Sequence, residues 1–361
     1  MKILWADGFS SYGLERDGFL RLNNGSYDSR DTNTTNQTRS IVHLNADLDP
    51  YRLNHVARFR NTSTSTSRDR YTMLTKTVDN VNGRLGMTVN YTAYEPQSGI
   101  SSTFGFEIHA GGDGITVCHD SFNRYAVLKG KGALYSSKEV LGRTEDNVVT
   151  PGVFQHLEVL VDFVEGVVVL RHNGKEVLHL TNLDLTSQET PTPNHWRLQW
   201  SRESSSTVDI SDLILWTLDP EEDITFPGRV RVAERVPVEV IGENEWLTVG
   251  EGETAELVGQ PIDDETYLTS NGPADVTFLL DEGESLDKVY GVSTTLVGLS
   301  AGSGPGTVKA TLMREDDTVV SEGEHELATN SINYSHTDPD AVEGDITLLK
   351  MRLSRMPQES T

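Results

Sequence analysis

Apolar residues along this chain recur with the two-residue period of β-strands. Short runs of β-branched and aromatic residues alternate with turns rich in Gly, Asn, Asp and Ser, which is typical of antiparallel sheets. Helical signals are nearly absent, because no stretch of about 12 residues combines helical spacing of apolar positions with a capping residue. The pattern therefore predicts an all-β protein.

The clearest pattern covers residues 154–180. Four apolar side chains of its first strand share one face, namely Leu157, Val159, Val161 and Phe163, because successive side chains point to opposite sides of a strand. A turn at 164–166 leads to a second strand at 167–172, and Asn173-Gly174 leads to a third at 175–180. Since Asn-Gly favours the positive φ angles of a type I′ turn, the segment predicts a three-stranded meander.

The same alternation predicts further strands in both halves of the chain. In the first half they fall at 2–7, 39–45, 71–77, 84–91, 104–110, 114–120, 124–129, 195–201 and 207–217. In the second half they fall at 246–249, 274–280, 288–297, 306–313, 318–321, 331–336 and 346–353. The polar segments 23–38 and 61–70 are predicted to be contact loops.

Charge divides the chain unevenly. The 361 residues carry 30 Lys+Arg and 55 Asp+Glu, a net charge of −25. Residues 231–361 hold 26 acidic and 8 basic residues, and this shift predicts a domain boundary. We therefore expect an N-terminal jelly-roll sandwich at 1–228 and a smaller acidic β-sandwich at 229–361. So negative a surface also argues against nucleic-acid and membrane-surface binding. No apolar run approaches the roughly 20 residues that span a bilayer, which argues against membrane insertion.

Cysteine content bounds the redox chemistry. Cys118 is the single cysteine, so an intrachain disulfide and a thiolate-rich zinc site are excluded. We expect it to be a small packed residue rather than a nucleophile. The apolar stretch near Met1 is shorter than the roughly 7–15 residues of a secretory signal, which favours synthesis in a reducing cytosol.

Several motifs resemble parts of catalytic sites, but each is better explained as a turn. Acidic runs at 221–223 and 315–317 lack the second glutamate of a glycosidase pair. Residues 298–302 match G-x-S-x-G, yet Gly and Pro follow where a nucleophile elbow needs a helix. His172 and His179 flank a hairpin without a third metal ligand. The sequence therefore predicts no catalytic, cofactor-binding or metal-binding residues.

Two further sets of residues allow a binding role. Calcium ligands could come from loop acids at 47–49, at 111–113, or at 338–345, although acidic turns are expected by chance in so acidic a chain. Trp196, Leu198 and Trp200 share one face of a strand. They form either a platform for sugar rings or part of the core, and the intervening leucine favours core. Trp5 and Trp216 are also predicted to be core residues.

The order of motifs resembles a known class of protein. The meander, followed by HWRLQW at 195–200 and TVDISDLILW at 207–216, resembles a laminin-G-like or concanavalin A-like jelly roll. Asp209 and Asp212 stand near the acidic pair carried by the last strand of such domains. The opening MKILWADGFSSYG, the segment WTLDPEEDITFPGRVRV at 216–232 and the late YSHTDPDAVEGDITLLKMRL at 334–353 are similar to bacteriophage virion proteins with a second β domain.

The resemblance implies a noncatalytic structural component of a phage particle: a tail, fibre, spike or capsid-decorating protein. Its expected partners are other virion proteins and further copies of itself, with a trimer as the expected assembly. Its expected location is the virion, assembled in the host cytoplasm. An alternative is a carbohydrate-binding module for host adsorption, using loop aromatics such as Tyr27 or Tyr71. A polysaccharide depolymerase is a weaker alternative, since it requires two carboxylates facing each other across a cleft.

Overall fold

A computed structural model gives the fold of this protein. It describes residues 1–9, 29–32, 37–43, 55–61, 71–78, 83–93, 104–109, 114–120, 122–129, 139–185, 194–201, 207–259, 266–283, 288–301, 306–329, 332–338 and 346–357. Within that part of the chain, no helix has the length and apolar character needed to cross a membrane.

The first half of the chain forms strands that are divided between two large sheets. They are β1 (Lys2–Asp7), β2 (Ser29–Thr32), β3 (Gln37–His43), β4 (His55–Asn61), β5 (Tyr71–Val78), β6 (Arg84–Ala93), β7 (Phe104–His109), β8 (Gly114–His119), β9 (Tyr125–Lys129), β10 (Glu139–Arg143), β11 (Gln155–Asp162), β12 (Val167–His172), β13 (Lys175–Leu180), β14 (Asn194–Ser201) and β15 (Thr207–Thr217). Sheet A has the order β13-β12-β11-β6-β15-β4-β3, with β1 also paired to β15. Sheet B has the order β10-β9-β8-β7-β14-β5-β2.

Sheets A and B pack face to face around one apolar core. Sheet A contributes side chains such as Val159 and Leu215, and sheet B contributes Phe106 and Val127, all buried in one cluster. Burial of this apolar area is the main favourable contribution to the folding of the sandwich. Trp5 belongs to the same core, as the sequence predicted.

The predicted meander is confirmed. Strands β11, β12 and β13 pair antiparallel in order. Asn173 and Gly174 have φ angles of 49° and 81°, the left-handed values that a type I′ turn requires. Leu157, Val159, Val161 and Phe163 all lie in the core.

Part of the outer face of sheet A is buried as well. A second apolar cluster lies there, and it contains Ile3, Leu160, Ile214, Trp216 and Leu218. It is covered by the chain that leaves β15, residues 219–235, which we call the strap. Phe226, Val230 and Val232 of the strap pack against this cluster, so every residue of β11 is buried.

The second half of the chain forms a smaller β structure. Its elements are β16 (Pro237–Ile241), β17 (Leu247–Val249), α1 (Thr254–Gly259), β18 (Tyr267–Thr269), β19 (Ala274–Leu280), β20 (Val292–Gly298), β21 (Gly306–Arg314), β22 (Val319–Leu327), β23 (Ile332–Asp338) and β24 (Leu349–Arg355). Sheet C has the order β16-β19-β24-β21-β22, and β17-β18 and β20-β23 form separate pairs. Ala255 of α1 packs on Val276 and Phe278 of sheet C. The prediction of an all-β protein built from stacked sheets is confirmed.

Some elements differ from the sequence prediction. Strand β2 lies inside the segment 23–38, for which the sequence predicts a loop. Strands β4, β10, β16 and β18 and the short helix α1 are not among the predicted elements. The predicted loop 61–70 lies outside the described residues beyond Asn61.

The contact between β6 and Trp216 gives a test of the strap side of sheet A. A Cβ atom at Gly86 would lie 2.2 Å from Cε2 of Trp216, so only glycine leaves room for the indole ring. We expect Gly86→Ala to lower the free energy of unfolding by about 1–3 kcal/mol through overpacking, measured by urea denaturation. Gly272→Ala is the control, because a Cβ there meets nothing within 4 Å. Equal midpoints for both variants would contradict this packing.

Candidate functional site

Asp209, one of the two predicted acids of the last jelly-roll strand, forms a structural ion pair. Its carboxylate is buried and accepts two hydrogen bonds from Arg58 of β4, from Nε at 2.7 Å and from Nη2 at 2.8 Å. This bidentate geometry uses both carboxylate oxygens. Asp209 is therefore occupied in joining β15 to β4.

Asp212, the second predicted acid, holds the strap. The register of β15 against β6 shifts between Ser211 and Ile214, and Asp212 adopts a left-handed φ of 45° at this bulge. Its Oδ1 accepts a hydrogen bond from the Val232 backbone N–H at 2.9 Å, and its Oδ2 accepts one from Asn90 Nδ2 at 3.0 Å. The bulge thus aims a buried carboxylate at the strap.

Glu158 of β11 holds the strap at a second point. Its side chain is fully buried, and Oε1 accepts a hydrogen bond from the Gly228 N–H at 2.8 Å. Arg171 Nη1 lies 3.4 Å from Oε2, which gives the buried carboxylate a cationic partner. A charge without such partners would be costly at this depth, so Gly228 and Arg171 make the burial of Glu158 possible.

His156 completes this polar cluster, which we call the clasp and which consists of Asn90, His156, Glu158, Asp212 and Gly228. Its Nε2 lies 3.0 Å from the Gly228 carbonyl oxygen, and its Nδ1 lies 3.0 Å from Asn90 Oδ1. The amide of Asn90 is oriented by its donation to Asp212. Both imidazole nitrogens therefore face oxygen acceptors. Glu158 Oε1 lies 3.9 Å from Nε2.

A second polar chain crosses the sandwich core. The hydroxyls of Tyr91 and Tyr125 lie 2.5 Å apart, and Tyr125 Oη lies 2.9 Å from His172 Nδ1. Asn173 Nδ2 donates to His172 Nε2, so His172 is neutral with its proton on Nδ1. Burial, and then the charge on His156, lower the pKa of His172. Burial raises the pKa of Tyr91 and of Tyr125, so the chain holds the two sheets together as neutral groups.

The turn between β8 and β9 presents an aromatic ring. Phe122 is 56% exposed, and the Arg124 guanidinium lies 4.6 Å from its ring centroid. Arg124 donates from Nε to Asp120 Oδ2 at 2.8 Å and from Nη1 to Asp146 Oδ1 at 2.7 Å. The pKa of Arg124 is raised, and its hydrogen bond with Asp120 is the largest cause.

His119, at the end of β8, contacts this turn through Asn123. It is fully buried, and its Nε2 lies 3.3 Å from Asn123 Oδ1. Burial lowers the pKa of His119 to about 4, because the apolar surroundings disfavour its charged form.

The other sequence candidates occupy turns. Arg84 donates to the carbonyl oxygens of Asp219 and Glu222, which fixes the acidic segment 221–223 at the start of the strap. Asp317, in the acidic segment 315–317, lies in the turn between β21 and β22 and pairs with Lys350 of β24. Strand β20 ends at residue 298 and β21 begins at 306, so a strand comes after the G-x-S-x-G match.

The two candidate histidines point to different environments. His172 lies in the polar chain described above, whereas His179 is 43% exposed and faces Glu176. In the register of β12 and β13, His172 pairs with Lys175 and His179 pairs with Val169. The hairpin therefore does not bring the two imidazoles together.

The remaining candidates fall partly outside the described residues. Two calcium candidates, 47–49 and 111–113, lie outside, and of the third only Asp338 is described, at the end of β23. Over the described ranges, no three His, Cys, Asp or Glu side chains are grouped so that they could hold a metal. The side chains of Trp196, Leu198 and Trp200 lie outside too, although their backbone forms part of β14. Tyr27 and the side chain of Tyr71 are also outside.

Besides Trp5, two further packing predictions can be compared with the structure. Cys118 is buried, with its Sγ 3.6 Å from the Ala126 carbonyl oxygen, which confirms a packed residue. Trp216 is fully buried as predicted, but beneath the strap rather than between the sheets.

Sequence reasoning missed His156, Glu158 and Phe122. A polar residue at alternate positions of a strand ordinarily indicates a solvent-facing side, so nothing in β11 pointed to a buried clasp. The one available signal for Phe122 was an aromatic residue inside a polar turn, next to Asp120 and Arg124.

From the contacts of the clasp we predict that Asp212 controls how readily a protease reaches the strap. Asp212→Asn keeps the shape and tolerates the left-handed φ, but its amide nitrogen would face a donor, either Val232 N–H or Asn90 Nδ2. We expect a loss of about 1–3 kcal/mol in the free energy of unfolding and faster trypsin cleavage after Arg229 and Arg231. Limited proteolysis with mass spectrometry measures the cleavage. Asp223→Asn, at an exposed strap residue, is the control; unchanged cleavage in the Asp212 variant would contradict the clasp.

The buried His119 predicts a pH dependence of stability. Its pKa is about 4 when folded and about 6.5 when unfolded, so the unfolded chain binds a proton that the folded chain excludes. The free energy of unfolding should therefore fall by about 3 kcal/mol through this group as pH is lowered from 6.5 to 4. His119→Gln should remove that part of the slope in urea titrations across pH. The exposed His179→Gln should not, and parallel slopes for all three proteins would contradict the assignment.

No family model matches the chain, and no curated protein sequence matches it. Among solved structures, a sialidase is 9% identical over 60% of this chain with a TM-score of 0.37, and the match spans 19% of the sialidase. A Bacillus subtilis protein of unknown function with a galectin-like fold is 10% identical, covering 60% of this chain and 96% of its own, with a TM-score of 0.36. A carbohydrate esterase from the Shiga toxin-encoding bacteriophage phi24B is 9% identical, covering 59% and 97%, with a TM-score of 0.37. At these values no activity or ligand is carried over to this chain.

Proposed function

We propose that this chain is a noncatalytic structural component of a bacteriophage particle that acts through protein–protein contacts. The observation that carries the proposal is the use of its buried carboxylates. Asp209 accepts hydrogen bonds from Arg58, Asp212 accepts one from the Val232 N–H, and Glu158 accepts one from the Gly228 N–H. Carboxylates that are held by hydrogen bonds in this way stabilise a rigid body and are not free to transfer protons to a substrate.

The phage assignment is supported by the order of segments along the chain. The opening 1–13 begins with β1, which pairs with β15, the strand that leads into the strap. Segment 216–232, which resembles the connection between two β domains in virion proteins, contains the end of β15 and the strap as far as Val232. We propose a division into 1–228 and 229–361 on the same grounds, with Val232 of the second part bonded to Asp212 of the first.

The experiment is a search for the protein in purified particles. Particles banded by density should contain the protein at constant stoichiometry by mass spectrometry, and antibodies against 229–361 should label one position in electron micrographs. The recombinant chain should form a trimer in light-scattering measurements. A protein that stays in the lysate and is missing from banded particles would overturn the proposal, as would sugar release from host capsule by the purified chain.

A second candidate function is carbohydrate binding for host adsorption. The observation that favours it is the exposed ring of Phe122 beside an ordered Arg–Asp pair. The two can coexist, since a structural subunit at a particle surface can also contact host glycans.

A further inference from the structure

The exposed ring of Phe122 is held in a fixed position by its own backbone. Its N–H donates to Asp120 Oδ1 at 2.9 Å, and its carbonyl oxygen accepts from the Asn147 N–H at 3.0 Å. A third bond, from the Val149 N–H to the Asn123 carbonyl oxygen at 2.8 Å, ties the same two segments together. The ring is therefore presented on a preorganised turn, which lowers the entropic cost of binding.

A donor and an acceptor lie beside this ring. Arg124 covers the ring with its guanidinium and uses Nε and Nη1 for Asp120 and Asp146. Its Nη2, and Oδ2 of the half-exposed Asp146, have no hydrogen-bond partner among the described residues. The turn thus offers an aromatic surface, an N–H donor and a carboxylate acceptor within one ion-paired group.

This combination matches the chemistry of a sugar ring. A pyranose has an apolar C–H face that can cover an aromatic ring, and neighbouring hydroxyls that both donate and accept hydrogen bonds. We propose that Phe122, Arg124 and Asp146 form a saccharide-binding site, which we call the Phe122 site. This inference rests on the second candidate function and is independent of the phage assignment.

The charges at the site select the kind of saccharide. The cation of the site, Arg124, is matched by the carboxylates of Asp120 and Asp146, and the exposed Glu145 adds a further negative charge nearby in the chain. An acidic sugar would meet net repulsion there. The site therefore takes a neutral hexose, of the kind that forms cell-surface polysaccharides.

A lone exposed phenylalanine is common on protein surfaces, and a second copy of the chain or another protein could also cover it. What favours a sugar is the ordered Arg–Asp pair beside the ring, because a merely apolar contact has no use for an exposed donor and acceptor. The test therefore includes the protein alternatives among its outcomes.

The experiment measures binding of methyl glycosides of glucose, galactose, mannose and glucuronic acid by saturation-transfer NMR and calorimetry, at up to about 10 mM ligand, where weak affinities are detectable. We expect at least one neutral glycoside to bind and the glucuronide to bind less. Phe122→Ala should weaken binding by about tenfold, or about 1.4 kcal/mol, while Phe122→Trp retains it. Asp146→Asn should weaken it less. Tyr267→Ala is the control, because Tyr267 is a similarly exposed aromatic residue on β18.

The outcomes separate the claims. Wild-type binding that Phe122→Ala leaves unchanged overturns the Phe122 site but keeps the second candidate function. Failure of every glycoside to bind overturns both, and leaves the phage assignment to its own experiment. A change in oligomeric state on Phe122→Ala, without a change in sugar binding, assigns the ring to a protein contact and overturns the inference. Unchanged thermal midpoints confirm that each variant is folded.

Discussion

A carboxylate removed from water must find hydrogen-bond donors or a positive charge, and this requirement determines the path of the strap. Glu158 and Asp212 lie buried on the outer face of sheet A, and their donors are the backbone N–H groups of Gly228 and Val232. Without these contacts two charges would be stranded at an apolar surface, at a cost of several kcal/mol each. The strap therefore cannot lift from the sheet without exposing both Trp216 and the clasp to water.

The strap also provides a surface on which a later part of the chain packs. Tyr290, which lies just before β20, contacts the same apolar cluster as Phe226 and donates a hydrogen bond to the Pro227 carbonyl oxygen at 3.4 Å. A Cβ at Gly291 would lie 3.1 Å from Cβ of Ile3 in β1. Parts of both halves of the chain thus meet over sheet A.

Local pattern was enough to predict strands whose side chains alternate strictly. The meander 155–180 was found because its apolar face and its Asn173-Gly174 turn agree with each other. Strand β4, HVARFRN, was missed because its arginines hide the alternation, although Arg58 has a specific partner in Asp209. Strands β16 and β18 are short and sit at sheet edges, where packing imposes little pattern. Helix α1 has six residues, fewer than helical periodicity needs in order to be visible.

The candidate site depends on long-range geometry that no local pattern carries. Asp209 and Asp212 are close in sequence, yet the bulge after Ser211 separates their roles: one pairs with β4 and the other with the strap. Gly86 gave no signal in the sequence, because its importance comes from the indole ring of Trp216, far away in the chain. Phe122 lies in the turn between two strands of sheet B, whereas the clasp lies on the outer face of sheet A. The two are linked through the core, because His172, whose pKa is lowered by burial and then by His156 of the clasp, also bonds Tyr125 of the strand that follows the Phe122 turn.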